Sequence, residues 1–264
     1  MVMKDQVVLI TGAGRGWGRG IAQQFGRQGA KVIAVSRTQA EIDLTVAVVQ
    51  AENSTIEGLS VDVANDAAMH QLKEYVLGKY GRLDVLVNNA GVLPIKPFEQ
   101  CTLEDIDRTL AINLRGQMLG CKLFLEPMKA QGGGSMINVS SRAGVMPFAN
   151  QTLYGASKYG LEGFTKCLAL EIAQYNISTN TITPGGGSTG KRLKPTSLTQ
   201  AQYDALSPEE QSKYADPILY SEAFVYLGLQ RGDGLTGARV EAYELSERIR
   251  QEGYAITVDP ARGY

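Results

Sequence analysis

The segment VVLITGAGRGWG, residues 7–18, decides the fold, because it runs from a short β-branched stretch into a turn rich in glycine. Gly12, Gly16 and Gly18 fit the spacing TGxxxGxG, whereas strict GxGxxG spacing fails in every register. Glycine lets the backbone turn tightly and approach a pyrophosphate, and the free N–H groups at a helix start attract that anion. The segment therefore predicts a strand–turn–helix unit that holds a phosphate group. A glycine-rich turn without a ligand is the alternative.

The rest of the chain alternates between short β-branched runs and longer amphipathic stretches. Short apolar runs without internal alternation indicate strands that are buried on both faces, as in a parallel sheet. We expect an α/β fold, with a single domain over residues 1–264 built as a doubly wound, Rossmann-like parallel sheet. The predicted strands are 6–11, 31–36, 55–61, 83–88, 134–140 and 177–182, and the predicted helices lie near 17–28, 38–51, 65–79, 103–130 and 152–175.

One internal region departs from this alternation. Residues 185–216 are rich in Gly, Ser, Thr, Pro and Lys, with a short helical piece near 199–206. A long insertion in an α/β domain is usually functional, so we expect a substrate lid here, with a passive surface excursion as the alternative.

The C-terminus also departs from the pattern, because a strand within 238–243 is followed by an extension over 244–264. The extension reads as a helix over 244–251 and an apolar, β-prone tail over 253–264. A free tail is usually polar. We therefore expect this one to pack on protein, over the lid near 190–213 or against a neighbouring subunit's pocket, with a disordered end as the alternative.

Composition excludes several classes of function. The chain has 264 residues, with 26 Lys and Arg against 27 Asp and Glu and a net charge of −1. This balance argues against nucleic acid or an anionic membrane as a partner, and no stretch approaches the ~20 apolar residues of a transmembrane helix. Three cysteines form no CxxC pair, and the single histidine, His70, lies far from any nucleophile motif, so we expect no metal site and no Ser-His-Asp triad. The sequence predicts a reduced, cytoplasmic, soluble protein.

The end of the second predicted strand, Ser36-Arg37, bears on the choice of cofactor. Dinucleotide folds that prefer NAD carry an Asp or Glu here, which holds the 2′-hydroxyl of the adenosine ribose. This chain has a hydroxyl and a guanidinium instead, with Arg15 in the glycine turn. Two arginines without a carboxylate favour a 2′-phosphate, hence NADP(H), with two solvated arginines as the alternative. Asp62-Val63, after the third strand, is placed to accept a bond from the adenine amino group.

Candidate catalytic groups follow the fifth strand. Tyr154 and Lys158 place a phenol and an ammonium at i and i+4 on one face of a helix. An ammonium near a phenol lowers the pKa of the phenol from about 10, which suits acid–base work on an alcohol or a ketone. Ser141 ends the strand thirteen residues before Tyr154. Ser140 is the competing hydroxyl, and the spacing favours Ser141.

Together these motifs resemble the short-chain dehydrogenase/reductase family, in its branch with subunits of about this length. The match runs from about Val7 to Thr189, with weaker agreement at 235–237. Besides the glycine turn and the YxxxK pair, it includes Asn88-Asn89-Ala90-Gly91 after the fourth strand, Asn113 in the next helix, and Pro184-Gly185 with Thr189 after the sixth strand.

The resemblance implies a role for each matched residue. Tyr154 gives a proton to a carbonyl or takes one from an alcohol, and Lys158 lowers the pKa of that phenol and bonds the nicotinamide ribose. Ser141 hydrogen-bonds the substrate oxygen, and Asn113 holds a water that connects Lys158 to solvent. The cofactor, NADP(H), supplies the hydride. The expected cofactor-binding residues are Gly12, Arg15, Gly16, Trp17, Gly18, Ser36, Arg37, Asp62, Val63, Asn89, Ala90, Gly91, Tyr154, Lys158, Pro184, Gly185, Gly187 and Thr189.

The substrate is less well defined than the cofactor. Gly187 stands where the family usually carries an apolar side chain against the nicotinamide, so the pocket should be wider or looser. The expected pocket walls mix apolar groups with a guanidinium and an amide, which fits a medium-sized, partly polar carbonyl or alcohol. These walls are Leu93, Arg142, Val145, Met146, Phe148 and Gln151.

The leading hypothesis is an NADP(H)-dependent reductase or dehydrogenase acting on a ketone or secondary alcohol. A 3-oxoacyl-carrier-protein reductase competes with sugar, polyol, steroid and xenobiotic carbonyl reductases. A non-catalytic NADP(H)-binding sensor or scaffold is disfavoured because all four catalytic residues are present, and an enoyl reductase because its Tyr-to-Lys spacing is wider. Apolar faces on the helices near 103–130 and 152–175, together with the resemblance, predict a homo-oligomer, a tetramer.

Overall fold

The computed structural model describes residues 1–184, 192–193, 205–261 and 263. Its centre is a seven-stranded, wholly parallel sheet with the strand order β3-β2-β1-β4-β5-β6-β9. The strands are β1 (Val7–Thr11), β2 (Lys31–Ser36), β3 (Ile56–Ser60), β4 (Val85–Asn88), β5 (Gly134–Val139), β6 (Ile177–Thr183) and β9 (Arg239–Glu241), while β7 (Arg192–Leu193) and β8 (Tyr214–Ala215) pair separately. The order reverses between β1 and β4, as in a doubly wound sheet, which confirms the predicted fold class.

Helices connect the strands and cover both faces of the sheet. They are α1 (Gly16–Arg27), α2 (Gln39–Gln50), α3 (Asp66–Tyr80), α4 (Leu103–Leu110), α5 (Gly116–Ala130), α6 (Thr152–Ile172), α7 (Pro208–Ser212), α8 (Glu222–Leu229) and α9 (Ala242–Glu252). Most of them lie within a few residues of the predicted stretches. Among the described residues, no helix combines the length and the apolar character that crossing a membrane demands.

Alternation along β1 divides the core into two layers. Val8 and Ile10 face the layer that contains Phe25 of α1, whereas Val7 and Leu9 face the opposite layer. All five side chains are buried. Full burial of one such side chain contributes about 1.5–3 kcal/mol. Because both faces of the strand are buried, a shift in register would lose this energy in both layers.

The helix predicted near 103–130 is interrupted. The structure has α4, then a π-helical turn (Ala111–Arg115), then α5. Apolar periodicity cannot report such a turn, because one extra residue in a single turn barely disturbs the pattern on either side. Of the expected lid, residues 185–191 and 194–204 lie outside the described residues, and with them most of the predicted helical piece near 199–206. The short α7 begins at Pro208.

The C-terminal tail packs on the protein, as expected, but at a different place. The hydroxyl of Tyr226 in α8 donates to the Ile256 carbonyl at 3.1 Å, and the Gln24 amide of α1 donates to the Tyr254 hydroxyl at 3.4 Å. Val258 is 4% exposed within the same layer as Phe25. The described part of the tail therefore lies on α1 and α8 of its own chain.

The end of the tail also meets the outermost strand. The N–H of Glu241 in β9 donates to the Gly263 carbonyl at 3.3 Å. Gly263 has φ +76°, and a Cβ there would lie 2.2 Å from the Arg239 carbonyl oxygen, so only glycine fits. The tail thus uses a backbone group on a strand that would otherwise be an open edge of the sheet.

Deleting residues 253–264 is expected to destabilise the protein, because it uncovers the apolar surface under Val258 and Ile256. The loss is about 3 kcal/mol, which lowers Tm by roughly 6–12 °C. Differential scanning calorimetry measures it. Val258→Ala should reproduce part of the loss, while Thr257→Ala, on an exposed neighbour, should not. If the truncated chain has the same Tm as the full chain, these contacts contribute nothing to stability.

Candidate active site

A cavity of 380 Å³ opens at the carboxyl ends of β1, β2 and β4. Ligands of open α/β sheets bind at this edge, beside the point where the strand order reverses. Twelve of the predicted cofactor residues line it: Gly12, Arg15, Gly16, Trp17, Gly18, Ser36, Arg37, Asp62, Val63, Asn89, Ala90 and Gly91. Thr38, Glu41, Val61, Val92 and Ile112 also line it and were not predicted.

The glycine turn is shaped for close approach to an anion. Gly12 and Gly16 have φ values of +66° and +53°, in the left-handed region. A Cβ at Gly18 would lie 2.3 Å from the Gly12 carbonyl oxygen, so a side chain cannot be accommodated there. In the described chain, Arg15 at the start of α1 makes no side-chain cap and the first turn holds no acidic residue. The backbone N–H groups of the first turn of α1 are therefore free to bind a pyrophosphate. The glycine turn fits a dinucleotide.

Asn89 fixes the turn against the neighbouring loop. Its Nδ2 donates to the carbonyls of Thr11 at 2.9 Å and Gly12 at 3.1 Å. In return, the Thr11 hydroxyl accepts from the backbone N–H groups of Asn89 and Ala90 at 3.0 and 3.1 Å. The predicted cofactor residue Asn89 thus acts on the glycine turn itself, holding β1 and β4 together under the cavity.

The pocket expected for a 2′-phosphate contains a carboxylate that the sequence reasoning missed. Glu41, in the first turn of α2, lies 3.3 Å from Arg15 and lines the cavity with Ser36 and Arg37. The expectation of two arginines without a carboxylate is therefore wrong. Arg15 is half-exposed, and such surface pairs contribute about 0–1 kcal/mol, so its guanidinium can exchange Glu41 for a phosphate. The predicted start of α2, directly after Arg37, was the signal that could have found Glu41.

Two other predicted cofactor residues line the cavity and also make contacts within the protein. Asp62 lines the cavity, and its Oδ1 accepts from the Ala64 N–H at 2.9 Å, which closes a local turn after β3. Trp17 lines the cavity and packs edge-on against Tyr220, with ring centroids 4.8 Å apart.

The loop after β6 is only partly described. Pro184 is buried at the end of that strand. Gly185, Gly187 and Thr189 lie outside the described residues.

Tyr154 and Lys158 lie on the face of α6 that meets the end of β5. Lys158 is 3% exposed, and its Nζ donates to the Val139 carbonyl at 2.7 Å. The same Nζ is 5.6 Å from the centre of the Tyr154 ring. Tyr154 is hydrogen-bonded to Ser141. The structure thus brings together the phenol, the ammonium and the hydroxyl that the sequence predicted.

The protonation of this group differs from the expectation. Burial raises the pKa of the Tyr154 phenol, and the hydrogen bond with Ser141 only partly opposes it. Burial lowers the pKa of Lys158 to about 8, while the carboxylate of Glu162 acts in the opposite sense. Desolvation thus opposes the expected lowering of the Tyr154 pKa by Lys158, whose Nζ is engaged by the Val139 carbonyl.

Asn113 is fixed by the π-helical turn. Its Nδ2 donates to the Val92 carbonyl at 2.8 Å and to the Ser157 hydroxyl at 3.1 Å, and its Oδ1 accepts from the Val92 N–H at 2.8 Å. The wider turn carries this side chain between α6 and the loop after β4. Asn113 therefore joins the catalytic helix to the wall of the cavity.

The two serines at the end of β5 have different surroundings. Ser140 is 3% exposed, and within the described chain its hydroxyl has no hydrogen-bond partner. Ser141 is half-buried, accepts from the Ala143 N–H at 3.1 Å and meets Tyr154. Its position agrees with the choice made from the thirteen-residue spacing.

The apolar side chains among the predicted substrate walls, called the apolar rim below, are open to solvent. Leu93, Val145, Met146 and Phe148 are exposed, and the Arg142 guanidinium lies 5.9 Å from the centre of the Phe148 ring. Gln151 is half-buried just before α6. The Lys96 N–H donates to the Asn150 carbonyl at 2.9 Å, which joins the two loops of the rim. Ile95 and Phe98, 63% and 58% exposed, extend the rim and were not predicted.

No group of three or more His, Cys, Asp or Glu side chains is arranged to hold a metal ion within the ranges that the structure describes.

Comparison with known proteins places the chain in a family. The profile described as short chain dehydrogenase matches residues 6–197. An uncharacterized oxidoreductase of Thermotoga maritima is 39% identical over 185 residues, 70% of this chain and 73% of that protein. Human L-xylulose reductase is 38% identical over 178 residues, 67% of this chain and 70% of that protein. Cyclopentanol dehydrogenase of a Comamonas species is 32% identical over 225 residues, 85% of this chain and 90% of that protein.

Solved structures agree with this placement. A metagenomic short-chain oxidoreductase in complex with NADP superimposes with a TM-score of 0.77 at 28% identity, covering 91% of this chain and 97% of that one. A putative short-chain dehydrogenase/reductase from Burkholderia xenovorans gives a TM-score of 0.78 at 28% identity, covering 90% and 95%. The chain belongs to the short-chain dehydrogenase/reductase family. It is therefore an oxidoreductase of a family that uses a nicotinamide cofactor.

Proposed function

We propose that the protein is an NADP(H)-dependent oxidoreductase that interconverts a ketone and a secondary alcohol. The observation that carries this proposal is the meeting of the Tyr154 phenol, the Ser141 hydroxyl and the buried Lys158 ammonium beside the dinucleotide cavity. The names of cyclopentanol dehydrogenase, L-xylulose reductase and levodione reductase among the relatives support an alcohol or ketone as the substrate.

The chain's own residues divide the work of the reaction. The glycine turn and the start of α1 hold the pyrophosphate, and Lys158 bonds the ribose hydroxyls next to the nicotinamide. NADP(H), when bound, supplies or accepts the hydride. Ser141 donates a hydrogen bond to the substrate oxygen, and Tyr154 gives its proton to that oxygen in reduction or takes it in oxidation. Burial keeps the phenol protonated, so Tyr154 is ready as the acid for reduction.

Asn113 contributes mainly by position. Both Nδ2 donors are used, by Val92 and Ser157, so a water that relays protons to Lys158 would have to bond an acceptor of this residue. The predicted water-holding role of Asn113 therefore falls to its Oδ1 or to its backbone carbonyl. The π-helical turn supports such a role, because single π-helical turns inside α-helices occur frequently at functional sites.

A substrate panel with NADPH oxidation as the readout tests the function. It includes cyclic ketones, a ketose, a linear ketone and a 3-oxoacyl thioester, the last because a 3-oxoacyl-carrier-protein reductase is the alternative. The apolar rim leads us to expect the highest kcat/KM with a cyclic ketone. Oxidation of NADPH by none of these compounds, in a protein that binds NADPH, would favour the sensor or scaffold instead.

We expect a homo-oligomer, a tetramer with twofold axes. Leu103 of α4 and Leu170 of α6 are 79% and 86% exposed, and Tyr159 of α6 is 48% exposed. Apolar side chains this open on two neighbouring helices are typical of a surface covered by another copy. Light scattering at micromolar concentration measures the mass. A particle of 28.5 kDa, the mass of one chain, would contradict the prediction.

A further inference from the structure

A carboxylate is buried directly behind the catalytic lysine. Glu162 lies one helical turn after Lys158 on the inner face of α6 and is 5% exposed. Residues four apart on a helix are neighbours, with about 5–6 Å between their Cβ atoms. A glutamate is almost never buried this fully unless it is paired. Its partners therefore indicate what it does.

Glu162 is held from two strands. The Thr181 hydroxyl of β6 donates to its Oε2 at 2.8 Å, and Arg239 of β9 forms an ion pair with its Oε1 at 3.4 Å. Arg239 also donates to the Thr183 hydroxyl at 2.7 Å and pairs with Glu241. The carboxylate is thus held in place on the side of α6 that faces the sheet.

Packing leaves Glu162 little freedom to move. Gly144, in the turn after β5, has no room for a side chain: a Cβ there would lie 2.8 Å from the Ser140 hydroxyl and 3.1 Å from Glu162 Cγ. The glycine therefore lets the stem of Glu162 pass between β5 and α6. Its charge is confined to a desolvated site, where a charge acts more strongly than it does in water.

Charged groups of both signs lie around Lys158 and Glu162. Lys158 and Arg239 are cationic, and Glu162 and Glu241 are anionic. Burial lowers the pKa of Lys158, and Glu162 is the charge that opposes this. Tyr154 of α6 and Gly91 also face the lysine, whereas Arg142, in the turn after β5, acts on Glu241.

We propose that Glu162 is a positioning residue for the reaction: its buried carboxylate, held by Thr181 and Arg239, keeps Lys158 in the ammonium form that the phenol and the cofactor ribose require. This inference rests on the proposed function for its importance in catalysis. The charge state of Lys158 can nevertheless be measured without any substrate.

Glu162→Gln removes the charge and keeps the shape. The pKa of Lys158 should then fall further, so the alkaline limb of the pH profile of kcat/KM for reduction should move to lower pH by about one unit. Glu162→Asp keeps the charge and should restore most of the wild-type profile. Glu171→Gln, on the exposed face of the same helix, is the matched control and should leave the profile unchanged. Superimposable profiles for Glu162→Gln and wild type overturn the proposal.

Arg239→Met should shift the alkaline limb of the pH profile in the opposite direction. This second variant keeps the proposal testable if Glu162→Gln does not fold. Without the arginine, the charge of Glu162 is no longer offset by its ion-pair partner, so the alkaline limb of the pH profile should move to higher pH. A shift to lower pH, or none, overturns the proposal.

Titration of the lysine itself separates this proposal from the proposed function. The 13Cε signal of Lys158 in 13C-lysine-labelled protein, assigned by its loss in Lys158→Met, reports the charge directly. Its midpoint should fall by about one unit in Glu162→Gln and stay in Glu171→Gln. If no carbonyl compound is reduced, the proposed function fails. The titration still shows whether Glu162 keeps Lys158 charged. If the enzyme is active and the Lys158 midpoint does not shift in Glu162→Gln, the proposal for Glu162 is overturned and the proposed function stands.

Discussion

Tyr154→Phe should lower kcat for reduction by about a hundredfold to ten-thousandfold, the usual contribution of a positioned proton donor. NADPH affinity should change little, because the phenol acts on the substrate oxygen and Ser141 and Lys158 keep their places. Steady-state kinetics and NADPH titration measure the two effects separately. Tyr159→Phe, an exposed tyrosine of the same helix, is the matched control.

Lys158→Ala should behave differently from Tyr154→Phe. It removes a group that touches both the chemistry and the ribose, so kcat and NADPH affinity should fall together. A Tyr154→Phe enzyme that kept even about a tenth of the wild-type kcat would contradict the proton-transfer assignment.

Replacing Ser36 by Asp and Arg37 by Ser should reverse the preference between cofactors. The wild type should favour NADPH over NADH by roughly 1–3 kcal/mol, about 5- to 150-fold in kcat/KM, through charge-assisted bonds to the 2′-phosphate. In the variant, the new carboxylate repels that phosphate and accepts from the ribose hydroxyl of NADH.

Glu41 refines this test. Because it pairs with Arg15, it reduces the positive charge available to the phosphate. Glu41→Gln in the wild type should therefore strengthen the preference for NADPH. Arg108→Ser, an exposed arginine of α4, is the control and should leave the ratio of kcat/KM values unchanged. If the wild type has equal kcat/KM values for NADH and NADPH, the proposed preference for NADP(H) is wrong.

Much of the fold could be predicted because its determinants are local. Apolar runs such as 31–36 have little freedom except as buried strands, and the structure gives β2 those same bounds. The glycine turn is similar, since positive φ at Gly12 and Gly16 demands glycine. The helical spacing of Tyr154 and Lys158 places them together without any knowledge of the rest of the chain.

What could not be predicted depends on residues that are distant in sequence. Lys158 meets the Val139 carbonyl only because α6 packs on the end of β5, so the raised pKa of Tyr154 follows from burial that spacing cannot report. The pair of Arg239 with Glu162 depends on the register between β6 and β9. Glu41 lines the cavity because the first turn of α2 packs beside the glycine turn. Each of these is a property of packing rather than of pattern.

The place of β9 in the sheet has a consequence for biosynthesis. Arg239 is the cation that offsets Glu162, yet it is made long after α6 and joins the sheet only through the last strand. A nascent chain that has just completed β6 therefore carries a carboxylate whose counter-charge has not yet been translated. Leaving a buried ion pair half-formed costs about 3–5 kcal/mol. The nicotinamide half of the site should consequently become rigid only after β9 has joined the sheet, whereas the glycine turn can order earlier in synthesis.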